Sequence, residues 1–173
     1  MKKVKTIAML LLVGFMLGGC AQKDKEERDK YLTQPVTAKE IMEPMIEKEI
    51  SFKGRHEEFV YLDLLNPEET EFFFPMKYLD VEDIKEGYAL QGKRVTQSSL
   101  LVVLEGKDKE SVDRLEEAFN KVIAEQMEIW GDYIPDQYDM VKNNEIDREG
   151  NFLAYITSKH VDALKEIFEN TVR

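Results

Sequence analysis

The chain has 173 residues, with 24 Lys and Arg against 35 Asp and Glu, a net charge of -11. A hydrophobic share of 43% is enough for a core and excludes wholesale disorder. One cysteine and two histidines exclude an intramolecular disulfide and a cysteine-rich zinc site, and the acidic balance argues against nucleic acid, whose binding rests on neutralised phosphates.

The first element is a sorting signal. Lys2, Lys3 and Lys5 precede an uncharged, mostly apolar run from Thr6 to Gly19, and then comes the only cysteine, Cys20. The run is short of the roughly 20 residues that span a bilayer as a helix. A basic start, a short apolar stretch and small residues before a cut are the parts of a signal peptide. Leu17-Gly18-Gly19-Cys20 resembles a bacterial lipobox. That resemblance implies removal of residues 1–19 and a diacylglycerol on the Cys20 thiol, with no other cofactor. A doubly acylated cysteine anchors stably. The expected location is the extracytoplasmic face of the cell membrane. Removing residues 1–19 takes away three lysines and no acid, so the charge falls from -11 to -14. Ala21–Lys30 is almost wholly polar or charged, and residues 20–36 are expected to form the lipidated N-terminus and a solvated linker.

Residues 37–173 are expected to form one domain. Thr37-Ala38-Lys39-Glu40 has capping-box spacing. Ile41, Met45 and Ile46 give that helix an apolar face, and Pro44 predicts a kink or an early break. Residues 51–57 read as loop, and 58–65 as helix or strand. Asn66-Pro67-Glu68-Glu69 starts a second helix carrying Phe72, Phe73 and Phe74 and stopping near Pro75. Asp80 caps a short turn over 81–86, ended by Gly87.

A regular pattern follows. Tyr88–Gly92 and Ser99–Glu105 read as strands, the second as a buried central one. Asp108 caps a long helix to about Trp130 with Val112, Leu115, Phe119 and Val122 on its apolar stripe. Met140–Ile146 reads as a strand, 147–151 as a turn and Phe152–Thr157 as a second buried strand. Ser158 caps a final helix with Val161, Leu164, Ile167 and Phe168 inward.

Val112–Phe119 matches Val161–Phe168 at five of eight positions. Two strand-strand-helix units, about 88–130 and 138–170, are therefore expected. They predict an α+β fold: a four-stranded, mostly antiparallel sheet with both helices on one face, plus N-terminal helices at an edge or across the sheet.

Tyr78–Glu86, the long helix ending at Trp130 with Asp132-Tyr133-Ile134-Pro135 after it, and Gly150-Asn151-Phe152 before a strand resemble the domain-of-unknown-function family 4358. Its members are small bacterial lipoproteins. The resemblance implies a fold and a location, and no activity.

Chemistry is sparse. Lipid would consume the Cys20 thiol, and His56 and His160 read as surface histidines with no nucleophile elbow beside them. Glu145–Gly150 has acids at alternate positions like a calcium loop, but the twelfth position, where a bidentate Glu belongs, is Ile156. A hairpin turn with solvated acids is the expected reading. Phe72, Phe73, Phe74 and Tyr133 form a candidate binding surface, because three consecutive rings cannot all face one side.

Three readings follow. The first is a tethered, non-enzymatic module for an envelope protein, peptide or small ligand. The second is an envelope hydrolase using carboxylates on sugar or peptidoglycan. The third is a spacer. The hydrolase needs a concavity with convergent acids, whereas the binding module needs none.

Overall fold

A computed structural model describes residues 36–53, 59–131 and 133–173. Thr37 and Glu40 form the expected capping box: Glu40 N–H donates to Thr37 Oγ1 at 3.2 Å and Thr37 N–H to Glu40 Oε2 at 2.9 Å. Helix α1, Ala38–Lys53, then continues through the expected break at Pro44 and takes in residues assigned to loop. Ile41, Met42 and Met45 are fully buried on either side of the proline. Their packing offsets the cost of a mid-helix proline, about 3 kcal/mol.

Strand β1, Phe59–Asp63, resolves the ambiguous stretch as extended. Helix α2, Pro67–Thr70, starts where expected, with Asn66 Oδ1 accepting from Glu68 N–H. It is only one turn long and carries none of the three phenylalanines. Phe74–Lys77 forms a separate 3-10 turn, and Val81–Asp83 a second one, capped by Asp80. Strand β2 begins at Ile84, inside the turn that was expected to last to Gly87.

Strand β2 spans Ile84–Gly92, β3 Leu100–Gly106 and helix α3 Lys109–Gly131. Asp108 caps α3 by accepting from Ser111 N–H at 2.8 Å. The strand expected from Met140 is instead the end of helix α4, Pro135–Lys142. Pro135 sits in its first turn, and Met140 and Val141 are buried. Strand β4 is Glu145–Glu149, β5 Phe152–Thr157 and helix α5 Val161–Val172. Gly150, at φ 60°, supplies the left-handed position of the β4–β5 turn.

The class is α+β, but the sheet has five antiparallel strands, not four, in the order β1-β2-β3-β5-β4. The segment before residue 87 supplies the extra edge strand. The helices also do not share one face. Leu100, Val102 and Leu104 of β3, with Leu153 and Tyr155 of β5, pack with Val112, Leu115 and Phe119 of α3. Leu101 and Val103, with Phe152, Ala154 and Ile156, pack with Ile41 and Met45 of α1 and Leu164 and Phe168 of α5. The strand-strand-helix order recurs, but α3 and α5 lie on opposite faces. Two antiparallel neighbours such as β3 and β5 are related by a two-fold axis normal to the sheet, which keeps a helix on its own face. The two units are therefore not symmetry mates.

Gly106 sits at the joint between β3 and α3. A Cβ there would lie 2.5 Å from Val112 Cγ2, so only glycine lets α3 come this close. No helix of the described residues is long and apolar enough to cross a membrane.

Candidate functional site

The β2–β3 hairpin closes through Gly92 N–H to the Ser99 carbonyl at 2.9 Å. Its loop is braced from within, since Gln97 N–H donates to the Arg94 carbonyl at 2.9 Å. Helix α4 braces it from outside: Gln137 Oε1 accepts from Ser98 N–H at 2.7 Å. A cavity of about 340 Å³ opens between this hairpin, the 3-10 turn at Phe74 and the last turns of α3. Phe74, Ile129 and Trp130 form its apolar wall, and Lys93 and Arg94 stand at its rim. Ile129 is 50% exposed and Val95, on the opposite lip, 95% exposed.

A second cavity, about 330 Å³, lies across the same hairpin and shares Gln97 and Ser99 with the first. Phe52, at the end of α1, and His160, just before α5, line it beside Lys159. The His160 ring stacks on Phe52 with centroids 3.7 Å apart.

Among the described residues, no carboxylate lines either cavity. Glu125, next to the cavity-lining Gln126, is turned to another task. Glu125 accepts from Lys77 Nζ at 2.7 and 2.9 Å and from the Tyr78 hydroxyl. Those donors, Lys77 first, hold its carboxyl below the usual range. This clasp fixes the turn that carries Phe74 against the helix that carries Trp130.

Polar groups lie beneath the cavity. Thr157 Oγ1 donates to the Tyr155 hydroxyl at 2.7 Å, and that hydroxyl donates to Gln126 Oε1 at 3.5 Å. Burial pushes the Tyr155 hydroxyl up to about 12, so it stays a neutral donor. Gln126 in turn lines the cavity.

The expected surface residues separate. Phe72 is 87% exposed, Phe73 is 3% exposed in the core, and Phe74 packs on the core and lines the cavity. Tyr133 is 68% exposed and outside the cavity wall. Cys20 and His56 lie outside the described residues. His160 stacks on Phe52 at the mouth of α5. Its backbone N–H donates to Ser158 Oγ, and Ser158 donates directly to Glu49 at 2.7 Å.

The acids of the 145–150 segment face α5 rather than a loop. Glu145 pairs with Lys165, and Arg173 approaches Glu149 at 3.6 Å. Burial raises the Asp147 carboxyl. Among the described residues, no group of three or more His, Cys, Asp or Glu is placed to hold a metal ion.

Lys93, Arg94, Gln97 and Trp130 were not singled out as site residues from sequence. One signal was available: Gln91 to Leu104 contains two basic residues and no acid, within a strongly acidic chain.

No curated protein and no solved structure matches the chain. A family model described as Domain of unknown function (DUF4358) matches residues 72–158, half the chain. The match takes in β2 to β5 and every residue lining the first cavity. The chain belongs to this DUF4358 family.

Proposed function

We propose that the protein is an extracytoplasmic lipoprotein, anchored in the cell membrane by a diacylglycerol on Cys20, whose domain binds a ligand in the cavity beside Trp130. It is a binding module rather than an enzyme. The observation that carries this reading is the cavity itself: an apolar wall, amide and hydroxyl groups, cations at the rim and, among the described residues, no carboxylate. A hydrolase working through carboxylates needs at least two acids converging on the substrate. The size falls within the range of small-ligand pockets, roughly 300–1,000 Å³.

The layout suits a tether. Ala38 N–H donates to Glu86 Oε2 near the start of β2, whereas Phe52 at the far end of α1 lines the second cavity. Sixteen helical residues at 1.5 Å each separate the two ends by about 24 Å. The cavities thus open at the end of the domain away from the chain's approach.

Changing Cys20→Ser and fractionating cells tests the anchor. The variant is expected to leave the membrane fraction and lose lipid label; unaltered labelling and retention would refute the anchor. Proximity crosslinking from the tethered domain in native cells tests the binding role. Specific capture that is lost when Ile129→Arg obstructs the cavity is the expected result. Hydrolysis of cell-wall fragments by the purified protein, with no specific capture, would overturn it.

A further inference from the structure

We infer that the first cavity takes a short uncharged peptide segment: its backbone amides meet the side-chain amides of Gln91, Gln97 and Gln126, and one branched apolar side chain sits between Ile129 and Val95. This rests on the reading of the cavity as a binding site and adds the chemistry of its ligand.

Three observations converge on it. The first is a set of carboxamides with hydrogen-bonding capacity left over. Gln91 on β2, Gln97 in the hairpin loop and Gln126 on α3 all line the cavity. Gln126 is only 9% exposed, and its Oε1 accepts from the Tyr155 hydroxyl at 3.5 Å. Its Nε2 donates to no group among the described residues. Gln97 Oε1 accepts from Arg94 N–H at 3.3 Å, which leaves its Nε2 unengaged in the same way. The Gln91 side chain makes no hydrogen bond among the described residues. A buried amide donor is costly unless it is paired, so Gln126 in particular calls for an acceptor in the cavity.

The second observation is what these groups can read. The amides of Gln97 and Gln126 present N–H donors, and Gln91 both donates and accepts. A peptide unit carries one carbonyl and one N–H, so a carboxamide pairs with it in both directions. It carries no charge, so leaving water costs it less than it costs an ionised group.

The third is the wall and its stiffness. Ile129 is half exposed, and Val95 on the opposite lip is almost fully exposed. A branched aliphatic side chain between them takes apolar surface on both out of water. Trp130, at 7% exposed, offers no open face for a sugar ring to lie on. Gln97 is fixed by its own hairpin, and Gln126 follows the Glu125 that Lys77 and Tyr78 clasp. The amides are therefore placed before any ligand arrives, which lowers the entropic cost of binding.

Trp130 is the only tryptophan, so its emission reports on the cavity wall alone. The experiment uses the full chain in neutral phosphatidylcholine nanodiscs. N-acetyl-leucinamide, N-acetylglycinamide, the anion N-acetyl-leucine and N-acetylglucosamine are each titrated against that emission, and the melting temperature is read with each. N-acetyl-leucinamide is expected to give a saturable shift and a raised melting temperature. N-acetylglycinamide should bind at least about tenfold more weakly, the worth of one buried aliphatic side chain. Gln126→Met and Gln91→Met should each weaken N-acetyl-leucinamide by about three to ten times, the worth of one hydrogen bond. Gln91 holds no other described group, so unchanged thermal unfolding of Gln91→Met separates lost binding from lost fold.

Equal or tighter binding of N-acetyl-leucine or of N-acetylglucosamine overturns the peptide assignment in favour of an anion or a sugar while leaving the cavity a binding site. N-acetyl-leucinamide binding that is indifferent to both substitutions, or to loss of the side chain, overturns it as well. No response in emission or melting temperature to any of the four at millimolar concentration overturns both readings.

Discussion

The two ends of the sheet use their charges in opposite ways. At the end where β2 begins and β3 finishes, Arg114 grips Asp83, Lys85 meets Glu105 at 2.6 Å, and Lys107 approaches Glu82 at 3.5 Å. Cations and anions there are matched within the protein. At the hairpin end, Lys93, Arg94 and Lys159 border two cavities lined by no carboxylate among the described residues. The first arrangement ties α3 and the 3-10 turn to the strands. The second borders a concave, partly apolar setting. Matched charge serves architecture, and a concave, partly apolar setting serves binding.

The largest expected effect comes from striking what both ends share. Phe119 is fully buried and stacks on Tyr155 with ring centroids 5.0 Å apart. Phe119→Ala is expected to cost about 3–5 kcal/mol, read as a lowered urea midpoint, with loss of order at both ends. A smaller loss follows at the ion-paired end alone. Gly106→Ala drives a methyl into Val112 and should cost about 1–3 kcal/mol while leaving probe binding at Trp130 unchanged. Altered binding in a folded Gly106→Ala protein would mean the two ends are coupled.

Acid titration sharpens the contrast further. Arg114 beside Asp83, and Lys77 with Tyr78 at Glu125, hold both carboxyls below their usual range. Their stabilising contribution is present above the unfolded value of about 4 and is lost as pH falls through the lower folded values. Asp83→Asn should therefore lower the melting temperature at neutral pH, with the difference fading in strong acid. Asp147 runs the other way. Its Oδ2 is buried without a hydrogen-bond partner among the described residues, and burial raises its carboxyl. Its favourable contribution is full below the unfolded value and is lost as pH rises through the raised folded one. Asp147→Asn is expected to raise the melting temperature at neutral pH and give no gain below about pH 3.

The smallest stability effect belongs to the cavity rim. Lys93→Ala should move stability by no more than about 0.5 kcal/mol in urea unfolding, because the side chain is exposed. A larger loss would place this cation with the architectural charges of the opposite end.

The layering of the sheet was partly written in the sequence. Leu100 to Leu104 and Phe152 to Ile156 are continuous apolar runs, not alternating ones. An antiparallel strand with one wet face alternates, so a continuous run implies cover on both sides. That pattern conflicts with the expectation of helices on one face, and the structure resolves it with α3 below and α1 and α5 above. The similarity of Val112–Phe119 to Val161–Phe168 reflects two amphipathic helices meeting similar strands, and it carries no information about which face each helix takes. The phenylalanines at 72–74 show a related limit. Consecutive rings must point different ways, but only the fold assigned Phe73 to the core, Phe74 to the cavity and Phe72 to the surface.

By itself the sequence determined the capping box at Thr37, the caps at Asn66, Asp80 and Asp108, the two central strands, the apolar stripe of α3 and membership of the family. Each depends on residues within a few positions of one another or on a contiguous motif, so it is readable along the chain. Tertiary structure alone decided the helical path through Pro44, the fifth strand at the edge, the faces taken by the helices and the cavity beside Trp130. Each of these depends on groups far apart in sequence. Gln97 is braced within its own hairpin, but the wall it faces comes from Phe74 and Trp130, and only packing of the whole sheet brings them together.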